Sequence, residues 1–227
     1  MKRLLGILSC LVVLTTCGPQ VKFMQPQPKG GKNLLSIPCE YHGRYLDTSD
    51  SSYIEIDSLS VTAKWISKEI VHKDSIAAIE KDLNITIKRD TQIYISEKRG
   101  NWLSNGVNIN VNFIGDSVRF DAIAENRMFE VSDSQLVRKY RGYCFLNTKT
   151  PEGLWLVKVL QIKNGNLSFD DLLDAEQEKN IKNIKRVAGP MDTIKNEPSE
   201  YYLDPTRREL RRILRKRTNC DLYVSLK

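Results

Sequence analysis

Two histidines, His42 and His72, are all that this chain has for imidazole chemistry. His42 follows Cys39 in a C-x-x-H spacing that suits one half of a zinc site. Zinc needs three or four ligands, and no second half-site is visible, so no metal site is expected. His72 stands two residues before Asp74, an order in which a carboxylate can orient an imidazole for activation of a Ser or Cys nucleophile. Nothing in the spacing compels that pairing, and no catalytic residue is assigned. Gly30-Gly31 lies among prolines, not between a strand and a helix, so no phosphate-binding loop and no cofactor are expected. A carboxylate pair for glycoside hydrolysis would assemble only in the fold and leave no mark in sequence.

Two constellations suit binding better than catalysis. Arg207, Arg208, Arg211, Arg212, Arg215, Lys216 and Arg217 stand against a single acid, Glu209. On a helix they would contact lipid phosphates, an acidic glycan or a partner protein. The alternative is a solvated helix face with its cations placed favourably toward the C-terminus. Asn84, Thr86, Asn108, Asn110 and Asn112 occupy one side of alternating stretches and suit sugar hydroxyls, with Tyr94 or Trp102 as an aromatic platform. A plain hydrated sheet surface is the alternative there.

The N-terminus concerns location. Lys2 and Arg3 precede an uncharged run from Leu4 to Leu14, followed by Thr15, Thr16 and Cys17. A basic start, a short apolar core and small residues are the parts of a secretory signal. The run is shorter than the roughly 20 residues a transmembrane helix needs. Leu14-Thr15-Thr16-Cys17 resembles the lipobox of bacterial, Gram-negative envelope lipoproteins. The resemblance implies that residues 1–16 are a signal peptide. It also implies that Cys17 becomes the first mature residue, thioether-linked to diacylglycerol and acylated on its amine. Gly18, in place of the Asp tied to inner-membrane retention in some such systems, points by the same resemblance to the outer membrane. Asp57-Ser58-Leu59, Asp74-Ser75-Ile76, Asp116-Ser117-Val118 and Asp192-Thr193-Ile194 resemble a short O-glycosylation motif of some Gram-negative envelope proteins. Asp-Ser and Asp-Thr also form ordinary turns and caps.

Composition agrees with an exported globular body. The 227 residues are 41% hydrophobic and 28% charged, as in a folded protein and unlike a disordered one. Net charge is +7, of which Lys2 and Arg3 supply two. That excess is modest, and nucleic acid is not an expected partner. With Cys10 in the signal and Cys17 lipidated, Cys39, Cys144 and Cys220 remain, enough for one internal bridge at most. Cys144, inside an apolar strand pattern, is expected as a buried free thiol, and a Cys39–Cys220 bridge stays open.

The elements that position these residues are mainly strands. Residues 17–33, rich in Pro, Gly and Gln, read as a lipidated flexible tether. Residues 34–227 read as one globular domain, with a β meander over 34–169 and helical segments plus a terminal strand over 170–227. Strands are expected at Tyr53–Asp57, Val61–Trp65, Leu83–Ile87, around Ile93 and Ile95, at Val107–Phe113 and at Val118–Ala122. Each has one apolar and one polar face. Tyr143–Leu146 and Leu154–Leu160 are apolar on both, which predicts a central or helix-covered position. Asn164-Gly165 predicts a hairpin turn into Leu167 and Phe169. One helix is expected at Ser75–Lys81 and others from Leu172 to Val187. A last helix opens at Asp204-Pro205, with Asp204 as N-cap and Leu203, Leu210, Ile213 and Leu214 as its stripe. Leu222, Val224 and Leu226 predict a closing strand that covers an edge. The fold class is mainly β (α+β), an antiparallel meander forming a barrel or sandwich. The expected function is non-enzymatic binding of an envelope protein or glycan by a membrane-anchored lipoprotein; the alternative is a hydrolase of envelope polymers.

Overall fold

A computed structural model describes residues 20–47, 52–83, 86–88, 92–95, 98–99, 102–103, 107–173, 184, 186–192, 197–198, 200–217 and 222–226. The signal, Cys17, Asn84, Asn105-Gly106, Thr193 and Cys220 lie outside them, as does most of the helix expected from Leu172 to Val187.

The chain is mostly strand. It begins with β1 (Gln20–Phe23), β2 (Gly43–Asp47), β3 (Tyr53–Ile56) and the long β4 (Ser60–His72). Helix α1 (Ile76–Leu83) and the short strands β5 (Gln92–Ile95), β6 (Lys98–Arg99) and β7 (Trp102–Leu103) follow. The meander continues through β8 (Val107–Ile114), β9 (Ser117–Glu130), β10 (Gln135–Tyr140), β11 (Tyr143–Lys149), β12 (Trp155–Lys163) and β13 (Asn166–Asp171). Last come β14 (Arg186–Ala188), β15 (Met191–Asp192), β16 (Glu197–Pro198), β17 (Glu200–Leu203), α2 (Arg207–Lys216) and β18 (Leu222–Leu226).

One large sheet runs β14-β17-β1-β12-β13-β18-β2-β3-β4-β9-β8-β5, with β11 and β10 branching from β12. It does not close, so the open, layered form of the expected fold is the one adopted. The branch follows from register. Trp155 pairs with both Lys149 of β11 and Phe23 of β1, and Lys158 with both Leu146 of β11 and Asp171 of β13. A residue has two edges; β11 takes one from Trp155 to Leu160 of β12, and β1 and β13 divide the other. The sheet therefore forks at β12.

Both faces of β11 and β12 are covered, as their two-sided apolar pattern predicts. Phe145, Trp155, Val157 and Val159 join Val21, Phe23, Leu203 and the α2 stripe of Leu210, Ile213 and Leu214 in one core. Cys144, Leu146 and Leu160 face the other way, into a core with Ile37, Tyr41, Tyr45, Ile54, Ile56, Val61 and Phe129. The outer halves of β4 and β9, with β8, form an arm with a third small core. There Ile79 of α1 and Ile87 pack on Val111 and Val118. Asn164 and Gly165 both take positive φ (54° and 80°), the geometry of a two-residue hairpin turn.

Several expectations are corrected. The segment read as a tether is largely part of the fold. β1 pairs in parallel with β17 along its whole length, and Phe23 is buried. Beyond it, Arg138 donates to the carbonyls of Pro26 (2.5 Å) and Pro28 (2.9 Å), and Gln27 is fully buried. Prolines lack N–H donors, so a distant side chain supplies the bonds that hold this stretch. The described residues of the expected Leu83–Ile87 strand are not in one: Leu83 ends α1, and the Ile87 amide donates to Glu80 Oε1 at 2.6 Å. Val187 lies in β14, paired with Tyr202, and not in a helix. The N-cap of α2 is Thr206, not Asp204. Thr206 and Glu209 form a reciprocal capping box, while Asp204 pairs with Lys29 at 2.8 Å. The closing strand β18 lies between β13 and β2, inside the sheet rather than along an edge.

Candidate functional site

The arm carries the polar sheet face expected from its asparagines. Cross-strand register places Ile66, Ile123 and Asn108 in one row, Lys68, Asp121 and Asn110 in the next, and Ile70, Arg119 and Asn112 in a third. The opposite face holds Val71, Val111, Phe113 and Val118 and is covered by α1. Burying that alternating apolar set turns the asparagines outward. Asn108 is exposed, while Asn110 and Asn112 are half-buried. Asp121 Oδ2 accepts from Arg119 Nε (3.0 Å) and Asn112 Nδ2 (3.4 Å); Asp121 Oδ1 is buried without a hydrogen-bond partner among the described residues. Ile70 is 65% exposed and Ile66 43%.

The surface thus offers amides, a guanidinium–carboxylate pair and bare aliphatic patches, a mixture that suits a hydroxyl-bearing ligand with apolar edges. Register sets Tyr94 opposite Asn108, whereas Trp102 belongs to the separate β6–β7 pair. Thr86 is exposed but outside any strand, and is not part of the face. Lys68, Arg119 and Asp121 escape the sequence reading because only register brings them to the asparagines.

Helix α2 presents the basic constellation. Arg207, Arg208, Arg215 and Lys216 are exposed and Arg211 and Arg212 half-buried, with the apolar stripe turned inward. The only acid, Glu209, has its carboxylate bent back to the Thr206 amide (2.8 Å) and hydroxyl (2.7 Å). Among the described residues, no ion-pairing carboxylate is found for Arg207, Arg208, Arg211, Arg212 or Arg215. Arg217 departs from the expectation. Its guanidinium nitrogens are buried and have no hydrogen-bond partner among the described residues, so it does not belong to the outward face.

The histidines are separated from one another. His42 Nε2 lies 2.9 Å from the Ile37 carbonyl, and Cys39 beside it carries an exposed free thiol. No group of three metal-ligating side chains occurs among the described residues. His72 Nδ1 and Asp74 Oδ2 do meet, at 3.1 Å, but on an open turn where their side chains are 59% and 90% exposed. Neither imidazole receives a hydrogen bond from a Ser, Thr or Cys side chain among the described residues. Cys144 is the buried free thiol expected, and burial pushes its pKa up to about 12. Of the glycosylation-like hydroxyls, Ser58 and Ser75 are exposed and Ser117 is half-buried.

Charge is also spent within the sheet. Arg44, Glu55, Lys64 and Glu125 form a ladder across β2, β3, β4 and β9, with contacts of 3.0, 2.7 and 3.1 Å. Lys64 and, after it, Arg44 hold the Glu55 carboxyl below its usual range. Lys22 on β1 is buried against Glu200 at 2.6 Å. Comparison of the chain with protein-family models, with curated proteins and with solved structures finds no match.

Proposed function

We propose that the protein is a lipid-anchored lipoprotein of the bacterial envelope, attached through Cys17 to the outer membrane, and that it works by binding rather than by catalysis. The lipobox-like Leu14-Thr15-Thr16-Cys17 supports the location. The outer face of the arm carries the binding reading. Asn108, Asn110 and Asn112 form one column there beside the Arg119–Asp121 pair, with the exposed Ile66 and Ile70 across β9 from them. Side-chain amides both donate and accept, and so match the hydroxyls of an envelope glycan.

Binding of the purified protein to immobilised envelope polysaccharide tests this reading. Asn110→Ala should weaken binding by roughly tenfold, the loss of about one hydrogen bond. The polymer should be recovered at its original length.

The second reading, a hydrolase, rests on the 3.1 Å approach of His72 to Asp74. Polymer shortening that disappears in His72→Ala would establish it in place of the first.

A further inference from the structure

We infer that helix α2 lies against anionic lipid headgroups, holding the folded body flat on the membrane to which Cys17 anchors it. The inference rests on the anchored reading above and adds the orientation of the body and the chemistry of the contact.

The first observation is the length of chain available. Cys17 is three positions before Gln20, the first residue of β1. Three residues span at most about 11 Å even when fully extended. β1 is no movable leader, because all four of its residues pair with β17 and Phe23 is 1% exposed. An acyl chain on Cys17 therefore brings the body against the bilayer, with no spacer to lift it away.

The second observation is what stands next to that anchor. β17 leads through residues 204–206 into α2, whose Leu210, Ile213 and Leu214 pack in the same core as Val21 and Phe23 of β1. β1 and β17 run in parallel, so α2 starts beyond the Phe23 end of β1, and its apolar stripe packs back against Val21 and Phe23 of the strand that Cys17 leads into. Its outward side holds Arg207, Arg208, Arg211, Arg212, Arg215 and Lys216, and the one acid in the helix is turned back onto Thr206. Each cation near an anionic surface strengthens attachment by roughly fivefold. Guanidinium groups also match phosphate oxygens in a bidentate geometry. Among the surfaces described, this is the one where a dense set of cations is carried by an element packed on the strand that Cys17 leads into.

The test separates the helix from the anchor. A mature chain carrying Cys17→Ala has no site for the lipid. It should sediment with phosphatidylglycerol-containing vesicles at low salt, stay in solution with phosphatidylcholine vesicles, and be released by molar salt. A variant with Arg207, Arg208, Arg211, Arg212 and Arg215 changed to Gln, folded by circular dichroism, should lose most of that binding. Equal sedimentation of the two proteins, or none by either, overturns the inference. So does retention on a soluble acidic polysaccharide with no preference for the anionic vesicle, which would make the partner a glycan. The mass of the N-terminal peptide of the native protein decides the anchor independently. An unmodified Cys17 would remove the anchored reading and leave the vesicle result to stand on its own.

Discussion

Gln27 and Asn147, 120 positions apart, exchange two hydrogen bonds: the Gln27 amide donates to Asn147 Oδ1 (2.5 Å), and Asn147 Nδ2 donates to the Gln27 carbonyl (2.9 Å). Both residues are fully buried. One side chain on β11 thus acts as a backbone partner for a proline-rich segment that has few donors of its own. Asn147→Ala would strand a buried N–H and a buried carbonyl and should lower stability by about 2–3 kcal/mol. Urea denaturation should show a lower midpoint with little change in slope. A midpoint equal to that of the parent protein would mean that Gln27 finds another partner.

Arg138 holds the same segment from the β10 side, through Pro26, Pro28 and Asn33 Oδ1 (2.7 Å). Burial lowers the pKa of its guanidinium, a sign that the group is kept from water. Arg138→Met retains much of the apolar stem and removes all three bonds. Local opening should rise by well over tenfold, since even one charge-assisted bond contributes roughly 1.5–3 kcal/mol. Trypsin cleavage after Lys29 and Lys32, followed by mass spectrometry, reads it. Unchanged cleavage rates would show that β1 alone secures the segment.

Alkaline pH should unfold the protein through groups buried in their neutral forms. Burial raises the pKa of Cys144, to about 12, and also those of Tyr41 and Tyr45. A group whose folded pKa is raised contributes stability that is complete below its unfolded value and is lost as pH climbs toward the folded one. Stability should hold from neutrality to about pH 9 and then fall. Cys144→Ala should make the fall shallower without abolishing it, since the tyrosines remain. In the native protein at neutral pH, an alkylating reagent should reach Cys39 and spare Cys144 until denaturant is added.

The capping box sets where α2 starts, because Thr206 Oγ1 accepts from the Glu209 amide (3.3 Å) and Glu209 Oε2 from the Thr206 amide (2.8 Å). Thr206→Ala should cost about 1 kcal/mol in thermal or urea unfolding. Thr206→Ser should restore most of it. A Ser variant as unstable as the Ala one would point to the lost methyl group instead.

Much of the sheet was legible because its signal is local. Val107 to Phe113 alternates cleanly with asparagines, and Asn164-Gly165 suits only a tight hairpin turn. The apolar character of both faces, Phe145, Val157 and Val159 on one and Cys144, Leu146 and Leu160 on the other, correctly placed β11 and β12 between two layers. The rest depended on partners far away in sequence. Val21 and Phe23 are too short a pattern to stand out among prolines and glutamines, and what holds Gln27 and Pro28 is Asn147 and Arg138. Leu83, Ile85 and Ile87 alternate like a strand, yet Leu83 closes a helix and Ile87 packs beneath it, where Glu80 captures its amide. The column of Asn108, Asn110 and Asn112 could be read directly. Its companions Lys68, Arg119 and Asp121 could not, because register rather than spacing brings them there.

Strand β18 pairs on one side with β13 and on the other with β2, joining the two arms of the strand order. Leu222 to Leu226 follow in sequence everything they connect. A chain emerging from a ribosome or a translocation pore can pair β2 with β3 and β12 with β13 as each is made. It cannot join these two sets into one sheet until nearly its whole length has emerged. Until then, one edge of β2 and one edge of β13 remain open to other strands. The interval before β18 arrives is therefore when this protein is most exposed to mispairing and to the chaperones and proteases that guard against it.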